Sequence, residues 1–95
     1  LARVISARQR QADRQPDNLL NSDLPPKLIK KYCVLSSSNQ RLLLTATEKM
    51  QLSARAYYKI LKVARTIADL ASSQNIEEEY ILEALQYRNK IWSEL

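Results

Sequence analysis

The sequence predicts an all-α fold, a compact bundle of about five helices in a single domain over residues 1–95. Three observations lead there. Apolar residues recur at three- and four-residue spacing along most of the chain, while alternating runs are short and turn dipeptides are missing. Serine, aspartate and asparagine stand just ahead of the periodic stretches, where helix caps belong. The 95 residues, 45% of them apolar, suffice for one modest core.

The first helix is expected over about residues 1–14, with Leu1, Ile5, Arg8 and Ala12 on one face. That stripe is poor in apolar residues, which predicts packing at an edge or against a missing neighbour. Pro16 breaks the pattern, leaving "QPDNLLNSD" as a loop anchored by Leu19 and Leu20. A second helix, about 24–33, starts near Asp23 as N-cap, with Pro25 and Pro26 tolerated in its first turn. It carries Leu28, Ile29 and Tyr32. The third, about 37–50, begins at Ser36 or Ser37, and Ser37 with Gln40 fits a capping box. Leu42, Leu43, Ala46 and Met50 form its stripe.

The fourth helix, about 54–72, has Ser53 as its natural N-cap and Leu52 placed to staple onto Tyr57. Its expected core face is Ala56, Ile60, Val63, Ala64, Ile67 and Ala71. Arg65 lies between the core and polar stripes, with Asp69 four residues on as a carboxylate partner. The last helix, about 76–90, follows Asn75, which with Glu78 reads as a second capping box. Glu77, Glu78 and Glu79 suit the positive end of its dipole, and Ile81, Leu82, Leu85 and Tyr87 supply apolar contacts. Trp92 and Leu95 beyond it either cap the bundle or contact a further core.

Composition removes several kinds of chemistry. The chain has no glycine, so it carries neither a P-loop nor a dinucleotide fingerprint. It has no histidine and one cysteine, Cys33, which excludes histidine acid–base catalysis, the usual zinc sites and an internal disulfide. A lone cysteine suits a reducing cytosol and reads as a small, half-buried apolar residue. No apolar run is long enough to cross a membrane and no signal-peptide pattern is present, so a cytoplasmic location away from membranes is expected. The net charge of +5 favours anionic partners: nucleotide, nucleic acid or an acidic protein face. The chain opens on "LARVISARQRQ", without methionine and inside a helix-like pattern, and so reads as a piece of something larger.

On the fourth helix, Arg55, Lys59, Lys62 and Thr66 follow i, i+4, i+7 and i+11, a polar stripe opposite Ala56, Ile60 and Ala64. Arg55 falls in the first turn, where the helix dipole already makes a cation slightly unfavourable. Two readings of this stripe stand side by side. One is a solvated basic face. The other is an anion site at the helix start, where backbone N–H groups also point and the arginine fork can hold two oxygens at once.

Beyond this point the residues resemble a known family. "LSARAYYKILKVARTIADLASSQNIEEEYILEALQYR" is similar to the C-terminal helical domain of magnesium-chelatase-like AAA+ ATPases, the bacterial ComM/YifB branch in particular. The upstream "ARQRQADRQPDNLLNSDL" resembles the segment leading into that domain. The likeness covers about Ala2 to Arg88, and its most specific pieces, "LSARAY", "VARTIADL" and "EALQYR", come in family order.

The resemblance implies a helical lid that follows an α/β nucleotide-binding core, with the phosphate loop in that core. It further implies that Ser53-Ala54-Arg55 carries the sensor-2 arginine, with Arg55 against the γ-phosphate of ATP in its own or a neighbouring subunit's site. ATP and Mg²⁺ would then belong to the parent protein, the fragment alone being catalytically incomplete. Implied partners are the core of the same chain, neighbouring subunits of a ring, expected to be a hexamer, and DNA during competence or recombination. Lys59 and Lys62 line the same cleft, face a neighbouring subunit, or keep the lid soluble. Arg3, Arg8, Arg10 and Arg14 form a basic helix face, solvated or turned to a subunit or polyanion. Two other classes compete: a stand-alone basic module binding nucleic acid non-specifically, and a structural protein–protein adaptor.

Overall fold

Serine hydroxyls and prolines divide the chain into its elements. The computed structural model describes residues 2–93, and the side chains of these apart from Asn18 and residues 87–93. Among the described residues it contains α1 (Ala2–Arg14), α2 (Pro26–Tyr32), α3 (Ser37–Lys49), α4 (Ala54–Leu70) and α5 (Glu78–Ser93). Two short 3₁₀ turns, Pro16–Asn18 and Asn21–Asp23, join α1 to α2. The side-chain roles expected of Leu1, Tyr87, Trp92 and Leu95 lie outside the described residues.

Each helix start has a local cause. Ser53 Oγ accepts the Ala56 amide at 3.1 Å and so caps α4. At α3 the capping residue is Ser36, whose hydroxyl accepts the Asn39 amide at 3.2 Å. The expected Ser37–Gln40 box is thus replaced by a cap one residue earlier, and the Gln40 amide bonds the Ser36 carbonyl instead. Asp23 does not cap α2. A residue preceding proline is held out of the helical region, and both Leu24 and Pro25 precede one. They are extended accordingly, so α2 starts at Pro26 and Asp23 sits in the second 3₁₀ turn. At α5 the first helical bonds go to the Glu77 carbonyl, from Tyr80 at 3.0 Å and Ile81 at 3.3 Å. Asn75 lies outside the helix, its carbonyl taking the Ser73 hydroxyl. The extended stretch between them lets Ile76 reach the core, which delays the helix to Glu78.

The ends of α3 and α4 are solved without glycine. Gln51 and Ser72 take positive φ, 53° and 60°. In each case the next residue bonds back to the helix, Leu52 N–H to the Thr47 carbonyl and Ser73 N–H to the Ala68 carbonyl. The residue of positive φ bonds the carbonyl of Glu48 or Asp69 in turn, which completes a Schellman closure at both ends.

The central helix is α4, packed on α5 and α1, with α2 and the second 3₁₀ turn also against it; α3 packs on α5. Buried alanines Ala64, Ala68 and Ala84 let α4 and α5 approach closely, with Ile60, Leu61, Leu43 and Ile81 filling the space around them. Full burial of each of the larger side chains contributes about 1.5–3 kcal/mol. The fully buried arc of α4 is Ile60, Leu61, Ala64, Arg65, Ala68 and Asp69. It is rotated from the face expected by periodicity: Ala56, Val63 and Ile67 are half-buried and Ala71 is exposed. The rotation brings two charged residues inside, because α1 answers them with polar side chains.

The inward face of α1 is Ala7 and Gln11, followed by Gln15 just past its end, whereas Ile5 is 59% exposed and Arg8 faces water. The expected face of Leu1, Ile5, Arg8 and Ala12 is therefore corrected. What holds α1 is hydrogen bonding. Arg14 donates to both Asp69 oxygens, at 2.9 and 3.1 Å, and to Asn21 Oδ1 at 3.0 Å. Asn21 donates to Asp69 and Thr66 through its side chain, and its amide bonds Gln11 Oε1 at 2.9 Å. Arg14 accordingly belongs to a buried network and not to the basic surface of α1.

Candidate anion site along α4

Arg55 is the second residue of α4, exposed, with no acidic side chain in that first turn to answer it. The Ser53 hydroxyl occupies the Ala56 amide, so the amides of Ala54 and Arg55 remain as the outward-pointing donors of the helix start. One turn on stands Lys59, then Lys62 and Thr66, on the side of α4 away from its buried arc.

These four residues line one groove of about 830 Å³. Pro26 and Ile29 of α2 and Ser22 and Leu24 before it contribute to its lining, as do Tyr80 and Glu83 of α5. Tyr58, Val63 and Ile67 add apolar surface along α4. The structure thus brings together all three cations singled out in the sequence, Arg55, Lys59 and Lys62, in a concave setting. It also brings in a fourth, Arg3, whose Nε donates to the Leu70 carbonyl at 3.3 Å. Arg3 is 67 positions from that carbonyl, and nothing in the local pattern of α1 announces the meeting. Lys62 is steered by a backbone acceptor, its ammonium lying 3.1 Å from the Ser22 carbonyl. Among the lining residues four cations meet one carboxylate, Glu83.

Arg65 belongs elsewhere. Its side chain is 4% exposed and meets Asp69 at 3.1 Å, the i,i+4 pair expected from the sequence. It also donates to the Gln74 and Ser73 carbonyls beyond the helix end, at 3.0 and 2.9 Å. Burial lowers its pKa, Asp69 raises it, and Arg14 nearby lowers it again.

The donor set of the groove is suited to phosphate: a planar guanidinium, ammonium groups and helix-start amides, with no competing carboxylate on the first turn of α4. Among the described residues there is no group of three or more His, Cys, Asp or Glu that could hold a metal ion. No helix among the described residues is long and apolar enough to cross a membrane.

A bundle of this kind, with a cationic groove along its central helix, is an all-helical domain with a candidate anion face. The chain belongs to the family described as "Magnesium chelatase, subunit ChlI C-terminal", whose profile matches residues 1–88. It is 43% identical over 86 residues to the protein YifB of Salmonella typhimurium, covering 90% of this chain and 17% of that protein. It is 42% identical to YifB of Escherichia coli over the same share of both chains. To the competence protein ComM of Haemophilus influenzae it is 41% identical over 86 residues, 90% of this chain and 16% of that one. The chain therefore spans about a sixth of the length of these relatives, and corresponds to the C-terminal domain of a magnesium-chelatase-like protein.

Proposed function

We propose that the chain is the lid of a magnesium-chelatase-like ATPase of ComM type, and that it couples ATP binding and hydrolysis to the motion of a ring. The observation that carries this reading is Arg55: an exposed guanidinium on the first turn of the central helix, at a groove that also holds Lys59 and Lys62. Arg55 presents two parallel N–H donors to a terminal phosphate, and the Ala54 and Arg55 amides add the positive end of the α4 dipole. Bound ATP supplies a γ-phosphoryl group whose charge redistributes on transfer to water. A guanidinium fixed against that charge in a water-poor cleft lowers the barrier. Its contacts differ between triphosphate and diphosphate, so Arg55 biases the orientation of the whole lid according to the nucleotide present. Lys59 and Lys62 supply further positive potential along the same groove. The phosphate loop and the ligands for Mg²⁺ are assigned to the core of the parent protein. The partners of the lid are then that core and the neighbouring subunits.

A role in competence follows the printed name of the Haemophilus relative, and action on DNA, in competence or recombination, is proposed on the basic groove alone. A stand-alone nucleic-acid module is the second reading, favoured by Tyr58 and Tyr80 among the cations as stacking surfaces. It fits less well, because the family match places the chain as the C-terminal domain of a longer protein and not as a stand-alone module.

The test is ATP turnover of the intact parent protein with and without Arg55→Ala, with nucleotide affinity and assembly followed in parallel. Turnover is expected to fall roughly a hundredfold or more in a protein that still folds and assembles. Unchanged turnover would remove Arg55 from the mechanism.

A further inference from the structure

A second cavity, of about 600 Å³, opens between the end of α2, the start of α3 and the turn from α4 to α5. Arg14, Lys31, Arg65, Ser36, Asn39 and Glu77 are among its lining residues, none of which lines the α4 groove. Its charge does not balance. Arg14 and Arg65 both lean on one carboxylate, Asp69, which is 1% exposed. Among the described residues no other carboxylate lies within 4.0 Å of either guanidinium. Cys33, buried beside both arginines, adds no negative charge, since burial pushes its thiol up to about 11.

With Lys31, three cations stand against Asp69, a net charge of +2; counting Glu77 on the exposed rim still leaves +1. Arg65 has spent its two terminal nitrogens on Asp69 and two carbonyls, and its buried Nε has no partner. A guanidinium pair that shares one carboxylate and is buried on one side leaves a charge calling for a counter-ion. Ser36 brings the first turn of α3, with its outward amides, to the same place.

We infer that this cavity is a binding site for a phosphate-class oxyanion, separate from the groove of Arg55 and independent of the ATPase reading. A phosphate-class anion answers the remaining charge of +1 to +2, and its oxygens take donors from Lys31 of α2 and from the amides at the α3 start. The source is either the free anion or a small phosphate ester, whose chemistry at the site is the same.

The experiment is an amide NMR titration of the 95-residue chain with inorganic phosphate, referenced to sodium chloride at equal ionic strength, then repeated with glycerol phosphate. Saturable shifts are expected at Lys31, Ser37, Ser38 and the Gln74–Glu77 turn. Arg55→Ala should leave them unchanged, and Lys31→Gln, an exposed substitution, should weaken binding roughly fivefold. Binding of glycerol phosphate as well assigns the site to esters; binding of phosphate alone assigns it to the free anion. Shifts no larger than those with chloride, shifts confined to residues 54–62, or a Lys31→Gln chain that binds unchanged would each overturn the inference.

Discussion

Cys33 lies 3% exposed, close to Arg65 and Arg14, and two opposite influences act on its thiol. The arginines favour the thiolate; burial disfavours it and wins, raising the pKa from 9.0 to about 11. The unfolded chain then loses this proton first, so stability from Cys33 is complete below about pH 9 and is lost as pH rises to about 11. The two-unit gap corresponds to about 2–3 kcal/mol. Urea unfolding at pH 7.5 and at a pH near 11 should show that decline, and the Cys33→Ala chain should show a shallower one. An equal decline in both chains would mean the thiol is not what sets the alkaline limit. Tyr57, raised by burial with Tyr58 beside it, contributes to the slope that remains.

At the scale of the element, α4 depends on its cap. Ser53→Ala removes the acceptor of the Ala56 amide and should destabilise the chain by about 1 kcal/mol, read as a lower denaturation midpoint with an unchanged m-value. A larger loss would mean that Ser53 also holds residues outside the helix. This cap and the Arg65–Asp69 pair were legible in the sequence, because each is a relation between residues within four positions; α4, expected to about residue 72, ends at Leu70, where Ser72 turns to positive φ. The inward face of α1 was not. Gln11, Arg14 and Gln15 look the same in a sequence whether they face water or one another, and Arg14 finds Asp69 at a separation of 55. The start of α2 was misplaced because an aspartate before two prolines satisfies the cap pattern, while the prolines themselves forbid the helix there. Of the groove, Arg55, Lys59 and Lys62 lie on one helix and could be read together; Arg3 arrives from another element and could not.

At the scale of the whole molecule, Asp69 is the joint. It takes bonds from α1 through Arg14, from the 3₁₀ turn through Asn21 and from its own helix through Arg65. Asp69→Ala would leave two guanidinium groups without their carboxylate, one of them almost fully buried, at a cost of about 3–5 kcal/mol. That is a large share of the roughly 5–15 kcal/mol that holds a domain together, so unfolding should begin well below the parent midpoint in urea. A loss under 1 kcal/mol would show that α1 is held by packing and not by this network.

The positive-φ residues that close α3 and α4 have a mechanical meaning as well. A chain without glycine has no position that changes its backbone angles freely, and here the two sharp reversals are locked by paired hydrogen bonds on residues that carry a Cβ. The paired bonds at Gln51–Leu52 and Ser72–Ser73 resist bending at these two turns. Under the proposed function, a force applied at Arg55 would be carried along the α4 backbone to Leu70, about 22 Å away at 1.5 Å per residue.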